Sequence, residues 1–588
     1  MSTILASRVE KPKWFKVSPL AKGRHARKVC VIGFDSEAEH GKPFLFQFAL
    51  PDGRVDLLDI SRRKHAGLYA FAEYLHNICI RKDTEYLVFG FNLQYEYTQL
   101  FRDLPLDVTC SPEFTVELTK LGLTLHVLNE KRYSFTIIFG GTKRRVKVID
   151  AMAFLPMSLN EASKIVDIGS KLPKPKEFSR RKRHTPEFIA YAEQDARLTQ
   201  KLGENIVGWH ERGDVSTCIS APMLASRVFR RQYLHGTWLP MPEDLEQYGL
   251  NSYHGGKNGY YATRPQRVKD VWSYDIRSAY PEAMNALPCV DHGTWSFERG
   301  YKRGAHCIYR ASVEYARCDY AAAYQLDGTR ISSGERELWI TGYELDSILA
   351  RGEARIHIAT RWEFTSICDC GGRSAFRAFV ADFYALKRDA IIPAEKAYAK
   401  LNMNSLYGKL FQKVPIGHVG EYDLDTGEYV QTDPAETFDY KAGGLYHPPL
   451  ASLVTGFVRA KIHALEHKYG AIMTSTDGFF ATRPPDPEDI GQELGKLDAA
   501  RGTLRIWRER LYIFTPVGGG KSKYALHGFR GGLETLRRVP LAMRAFTYTA
   551  TEMVTLKRSR NLIEGVRHSA GEFVTRTFEL QPMAAGPP

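Results

Sequence analysis

No window of this 588-residue chain approaches the roughly 18 uncharged apolar residues that cross a bilayer, so no membrane partner is expected. The stretch from Met1 to Lys16 is polar and basic without an apolar run, as suits a cytosolic protein. Cysteine is scarce. Nine residues, an odd number at irregular spacings, do not resemble a secreted disulfide framework. Cys368-Asp369-Cys370 is the one close pair, and without an evident second pair it is not expected to hold zinc. Repeats and low-complexity segments are lacking, and only the tail QPMAAGPP is expected to be disordered. Acid is short as well: 67 Asp and Glu face 81 Lys and Arg, a formal charge of +14 that favours a polyanionic partner such as nucleic acid. Core material is plentiful. With 44% hydrophobic residues, a chain of this length should divide into two or more domains.

Several short segments carry chemistry. IMTSTDGFFA, from Ile472 to Ala481, reads as a β-hairpin with Asp477 at its tip, and Asp-Gly is by itself an ordinary turn. The carboxylate becomes informative if a second one meets it. In VWSYDIRSAYPEAM a strand delivers Asp275 and passes through Ser278 and Ala279 into a helix, a workable seat for a metal-bound triphosphate. AEKAYAKLNMNSLYGKLF predicts a helix ended by Gly408, with Lys396, Lys400, Asn404 and Tyr407 on one face as a cationic stripe. Tyr253-His254-Gly255-Gly256 reads as a turn between strands.

Closer to the N-terminus, RKVCVIGFDSE is an apolar strand ending in Asp35 and Glu37, which point to the same face. Like charges held together call for a cation such as Mg²⁺. LVFGFNLQYEYTQLF runs from strand to helix with Asn92 and Glu96 at i and i+4. TPEFIAYAEQDARLTQKL begins with Thr185 as N-cap and Pro186 at the first helical position, and sets Tyr191 and Asp195 on one helical face.

Taken in order, Asp35 and Glu37, Asn92 and Glu96, and Tyr191 and Asp195 resemble the three motifs of DEDD-type 3′-5′ exonucleases of the tyrosine subtype. D-x-x-S-x-Y-P at Asp275 to Pro281, K-x-x-x-N-S-x-Y-G at Lys400 to Gly408 and T-D-G at Thr476 to Gly478 look like motifs A, B and C of family B DNA polymerases. With Tyr253-x-Gly255-Gly256 between them, the order from about Val29 to Tyr524 is similar to that of the protein-primed phage and mobile-element type.

The resemblance implies an α/β and α+β multidomain protein. Residues 1–215 would form an RNase H-like exonuclease domain and 216–588 a right-hand polymerase domain. In the latter the palm would be 250–292 and 447–520, the fingers 372–411 and the thumb 521–588, with an insertion over 293–371 and a hairpin insertion over 412–446. Asp275 and Asp477 would hold two Mg²⁺ ions for nucleotidyl transfer, with Mn²⁺ as a substitute. Asp35, Glu37, Glu96 and Asp195 would hold two more for hydrolysis, while Tyr191 orients the attacking water. Ser278, Ala279, Tyr280 as steric gate, Lys396, Lys400, Asn404 and Tyr407 would bind the dNTP. Tyr253, Gly255, Gly256, Asn92, Ser158, Leu159, Lys521, Lys523 and Tyr524 would contact primer-template DNA. The resemblance also implies a monomer in a bacterial host cytoplasm, with a terminal protein as primer and strand displacement assisted by the two insertions.

Three positions depart from the family pattern. Glu96 stands where the family has Asp, which implies slowed or lost proofreading. Ser475 replaces the first motif C aspartate, and serine is a weaker metal ligand. The family's K-x-Y would need lysine at Ser522, whereas Lys521 and Lys523 flank it. HVGEYDLDTGEYVQTD reads as a hairpin turning at Asp425 to Gly427, and the basic run Ser179 to His184 as a solvated loop that tracks a DNA backbone. The rival readings are a catalytically degenerate polymerase-like DNA-binding protein, which would explain the three departures as decay, and a 3′-5′ exonuclease alone.

Overall fold

The computed structural model describes residues 9–10, 16–21, 28–62, 67–102, 113–118, 122–128, 133–140, 144–238, 240–262, 264–316, 320, 333–368, 370–415, 418–422, 429–431, 440–542, 545–556, 558–560, 562–563 and 566–581. It is the expected mixed α/β, multidomain architecture. The N-terminal part is built on a ten-stranded sheet in the order Tyr429–Gln431, His418–Tyr422, Glu113–Leu118, Leu123–Leu128, Ser134–Phe139, Arg144–Asp150, Thr84–Gly90, Lys28–Glu39, Lys42–Ala49 and Val55–Asp59. Its central strands read as apolar runs because both faces are covered. On one face Ile32, Phe34, Phe46 and Phe48 pack on Phe71 of the helix Leu68–Ile78. On the other, Val31, Leu87 and Phe89 share a core with Leu198, Leu202 and Ile206 of the helix Pro186–Arg212. That helix starts as its sequence predicts: Thr185 accepts from the Phe188 amide, and Pro186 opens the first turn.

The second large sheet has seven antiparallel strands in the order Lys257–Tyr260, Ala471–Thr476, Gly478–Ala481, Gln266–Ile276, Leu497–Arg508, Leu511–Pro516 and Lys523–Leu526. Behind it lies the helix Pro448–Tyr469, which buries Leu453, Val454, Val458 and Ile462 in the largest core. Two helices, Ala375–Asp389 and Pro393–Ser405, pack on each other beside this sheet. Between them in sequence and the Asp275 strand stands a separate four-stranded antiparallel sheet, ordered Gly293–Arg299, Ala354–Ser366, Cys307–Tyr315 and Gly334–Thr341. It has its own core around Cys307, Tyr309, Val313 and Ile348. The chain closes with the helix Gly532–Arg538 and the paired strands Phe546–Met553 and Phe573–Leu580.

Five local expectations change. Tyr253 to Gly256 joins the helix Glu243–Ser252 to the strand Lys257–Tyr260 rather than two strands. The Asp35 strand continues to Glu39, so both carboxylates lie within it rather than at its end. The helix after Gly90 begins only at Gln94, and Asn92 precedes it with φ +60°, so Asn92 and Glu96 do not share a helix face. Likewise the helix carrying Lys400 stops at Ser405, and Tyr407 opens a 3₁₀ turn. The basic run is no free loop: Arg180 donates to the Ser61 carbonyl at 2.7 Å and Arg183 to Asp59 at 2.8 Å. The two flanks of the expected hairpin pair antiparallel, Tyr422 opposite Tyr429, while the tip at Asp425 to Gly427 and the tail beyond Gln581 lie outside the described residues. Unforeseen in the sequence, His418–Tyr422 also runs parallel to Glu113–Leu118 and so extends the N-terminal sheet. Among the described residues no helix is long and apolar enough to cross a membrane.

Candidate active sites

Two groups of carboxylates converge, one on each large sheet. In the seven-stranded sheet the register sets Asp275 opposite Gly478 on one side and Asp498 on the other. The Ile276 amide donates to the Asp477 carbonyl at 2.9 Å, locking the hairpin tip to the Asp275 strand. Glycine is required beside the tip, because a Cβ on Gly478 would stand 2.7 Å from the Tyr274 carbonyl and 3.1 Å from the Asp275 carboxylate. Thr476 and Ser278, one before Asp477 and three after Asp275, both hold left-handed backbone, with φ +62° and +54°. Such strain is costly for non-glycine residues and concentrates at functional sites. Asp275 keeps a face open to solvent, yet desolvation by its surroundings and the charge of Asp477 raise its carboxyl to about 6, against the pull of Lys523. Burial raises Asp477 as well. Two carboxylates made costly to ionise by burial and by each other are the donor set that a hard divalent cation relieves.

Aromatic and cationic groups surround this pair. Tyr280 stacks on Tyr407 with ring centroids 3.9 Å apart and planes 2° from parallel, and the charge of Asp477 reaches both phenols. Tyr253 stacks on Phe411 at 3.7 Å. A Cβ on Gly256 would stand 2.5 Å from the Thr476 side chain, so Gly256 lies directly on the hairpin. Lys396, Lys400 and Asn404 are exposed together, while Tyr398, Ala399, Asn402 and Met403 bury the opposite side of the helix. Lys387, on the neighbouring helix, donates to the Ser278 hydroxyl at 3.3 Å. Burial, together with Lys400, Arg277 and Lys396, holds its ammonium below the usual range. A cluster of cations this close awaits an anion.

On the ten-stranded sheet, Asp35, Glu37, Glu96 and Asp195 form the second group. The helix bearing Asp195 reaches the Asp35 strand because Gly33 offers no side chain: a Cβ there would stand 2.2 Å from the Ala196 carbonyl. Burial and the charge of Asp195 push Asp35 up to about 7. Glu37 rises through burial and then Asp35, and Glu96 does the same. Glu96 accepts from the Ser36 hydroxyl at 3.2 Å. Its second oxygen and Asp195 Oδ1 are buried with no hydrogen-bond partner among the described residues. Orphaned carboxylate oxygens in a crowded acidic group fit a divalent metal site. Asp195 Oδ2 pairs with Lys171 Nζ at 2.6 Å, and Tyr191, whose phenol burial and Asp195 hold above its usual range, lies beside both. Asp150 is a further buried carboxylate, raised to about 6 by burial, but its oxygens cap the amides of Asn92, Leu93 and Met152.

Residues 171–416 match the family model described as DNA polymerase type B, organellar and viral. The chain is 26% identical over 275 residues to the primer-independent DNA polymerase PolB of Escherichia coli, covering 42% of this chain and 29% of that one. It is 28% identical over 314 residues to a probable DNA polymerase of Agaricus bitorquis, covering 43% and 38%. It is 29% identical over 160 residues to the DNA polymerase of Streptococcus phage Cp-1, covering 24% and 27%. The chain thus spans well under half the length of these relatives. Phi29 DNA polymerase, solved with primer-template DNA and incoming nucleotide, superposes with a TM-score of 0.67 at 14% identity, over 95% of this chain and 100% of that one. The fold is that of phi29 DNA polymerase.

The structure brings Asp275 to Asp477, and Asp35, Glu37 and Glu96 into one group with Asp195. Ser158 is the N-cap of the helix Leu159–Ile165 in a capping box with Glu161, and Leu159 is buried beneath it. Lys521 stands 3.9 Å from Glu161, so it faces the N-terminal part. Of the two lysines that flank Ser522, Lys523 donates to Ser273 at 3.3 Å and tempers Asp275. Tyr524 is exposed. Sequence reasoning passed over Lys171, Arg277, Lys387, Asp498 and Arg459. Arg459, fully buried, donates to the carbonyls of His254 and Gly255 and pairs with Glu344 at 2.7 Å. Only Lys387 had a signal, as a lysine in the helix preceding motif B.

Proposed function

We propose that this chain is a template-directed DNA polymerase that adds dNTPs to a primer 3′ end and trims it at a separate 3′-5′ exonuclease site. The observation that supports this best is the pairing of Asp275 with Asp477 on adjoining strands beneath Lys387, Lys396, Lys400 and Arg277. Divalent cations held by Asp275 and Asp477, Mg²⁺ or in its place Mn²⁺, would supply the charge that favours deprotonation of the primer 3′-hydroxyl and departure of pyrophosphate. The four cationic side chains neutralise the triphosphate, while Ser278 and Ala279 open the helix against which it rests. Tyr280, braced by Tyr407, floors the sugar site and leaves no room for a ribose 2′-hydroxyl; Asn404 lies along the same edge. Tyr253, Gly255 and Gly256 carry the template, and Lys523 and Tyr524 the primer end. At the second site Asp35, Glu37, Glu96 and Asp195 would hold a divalent metal that activates water for hydrolysis, Tyr191 would orient that water, and Lys171 balances the excess negative charge. Asn92 and the helix capped by Ser158 line the primer strand there, facing Lys521.

In this reading residues 1–215 are the exonuclease domain and 216–588 the polymerase domain. The sheet within 293–371 and the hairpin within 412–446 contact a priming protein and the displaced DNA. Primer extension tests the proposal: a 5′-labelled primer on a longer template, with Mg²⁺, with and without dNTPs. Extension with dNTPs and shortening without them are expected. Asp275→Ala should abolish extension and keep trimming; retained extension would overturn the assignment of the metal pair. An arm without primer reports whether synthesis starts unaided.

A further inference from the structure

Outside both carboxylate groups, Cys289, His292, Cys368 and Cys370 converge, with their ligand atoms all within 4.8 Å of one another. This corrects the expectation that Cys368 and Cys370 lack a second pair: Cys289-x-x-His292 supplies it from 76 residues upstream. His292 Nδ1 lies 3.0 Å from Cys368 Sγ, 3.3 Å from Cys370 Sγ and 3.5 Å from Cys289 Sγ. Cys370 Sγ lies 3.4 Å from Cys289 Sγ and 3.5 Å from Cys368 Sγ. Hydrogen bonding does not explain the arrangement, because one imidazole nitrogen has a single lone pair and three sulfurs crowd it. Disulfides do not explain it either, since all three cysteines are free. A tetrahedron with metal bonds of about 2.3 Å to sulfur and about 2.0 Å to nitrogen has edges of roughly 3.5–3.8 Å, close to those observed.

We propose that Cys289, His292, Cys368 and Cys370 bind one structural Zn²⁺. Three thiolates and an imidazole select zinc among abundant cations, and four protein ligands leave no open position for catalysis. The site's place in the fold gives its role. Cys289 and His292 lie between the helix Ala279–Ala286, which carries Tyr280, and the strand Gly293–Arg299. Cys368 and Cys370 lie between the strand Ala354–Ser366 and the helix Ala375–Asp389, which carries Lys387. Gly293 and Ser366 are register partners, so the ion ties off the neck of the four-stranded insertion sheet where it leaves and rejoins the polymerase fold. Closing a long loop at its neck removes entropy from the unfolded chain. This inference is independent of the proposed activity.

The test uses the full chain, purified in reducing buffer without chelator. One zinc per chain by mass spectrometry is expected, with loss of that zinc in Cys368→Ser/Cys370→Ser. Because that variant can fail to fold, wild-type protein stripped of zinc is also titrated with Co²⁺. Thiolate-to-cobalt charge transfer and intense tetrahedral visible bands, abolished by one equivalent of Zn²⁺, support the site. Weak octahedral bands alone would overturn it. Zinc retained in full by the folded double variant would also overturn it, and would point to the Glu353, His463 and His467 group instead.

Discussion

At the residue scale, the group of Asp35, Glu37, Glu96 and Asp195 sets like charges against two lysines, Lys174 near Glu37 and Lys171 on Asp195. Lys171 is the sole cation paired directly to the four-carboxylate group among the described residues, through Asp195 at 2.6 Å. Lys171→Ala should lower trimming by roughly 10- to 100-fold, the scale for losing a partner that orients a metal-binding carboxylate. Extension by the same variant should be unchanged, and a loss in both assays would show that Lys171 supports folding rather than the site. Proton linkage gives a second handle. Asp35 is raised from 3.8 to about 7, so between those values the folded protein binds more protons than the unfolded chain. Its stabilising contribution is full below the unfolded value and is lost as pH rises through the folded one. In chelator, Asp35→Asn should therefore melt higher than wild type at about pH 8, with the gap closing towards about pH 4. Adding Mg²⁺ should reverse the order at the higher pH, because the amide cannot replace the carboxylate as ligand. A melting difference that ignores pH would remove Asp35 from the acidic group.

At the scale of elements, the site depends on how closely a helix can lie on a strand. Gly33→Ala would press a methyl against the Ala196 carbonyl and the Gln200 amide, 2.2 and 2.7 Å away, both backbone atoms that cannot rotate aside. Destabilisation of about 2 kcal/mol is expected by urea unfolding. Trimming should fall further than stability alone accounts for, since Asp195 moves with the helix; full trimming by the folded variant would refute that coupling. Such elements explain what was readable in the sequence. Asp35 and Glu37 were legible because a strand repeats every two residues, and the Pro186–Arg212 helix because its cap is local. Asp275 and Asp477 were legible only through the order of the surrounding motifs. Spacing misled where the backbone changes state between two residues: Asn92 is left-handed before its helix, and Tyr407 falls in a 3₁₀ turn after one. Lys171 lies in an irregular segment, where a lysine reads as solvated. The zinc ligands and the pairing of His418 with Phe114 join distant segments that carry no shared periodicity.

At the scale of the molecule, a buried ion pair joins the insertion to the long helix behind the seven-stranded sheet. Arg459, on the long helix Pro448–Tyr469, is 1% exposed and pairs with Glu344, 2% exposed, on the insertion helix Gly342–Leu349. The same guanidinium donates to the His254 and Gly255 carbonyls, so it fixes the loop beside the Asp477 hairpin. Breaking a buried pair from one side strands the other charge, at about 3–5 kcal/mol, whereas replacing both partners by apolar groups is often neutral. Arg459→Met should therefore cost about 3–5 kcal/mol of stability, and Glu344→Leu/Arg459→Met should recover most of it. Affinity for primer-template DNA should separate the two roles. The double variant restores the packing between insertion and helix but not the donor to the loop carbonyls, so its DNA affinity should stay low although its stability returns. Recovery of both would mean that the loop is held by its own stacking of Tyr253 on Phe411, and that Arg459 serves only the junction with the insertion.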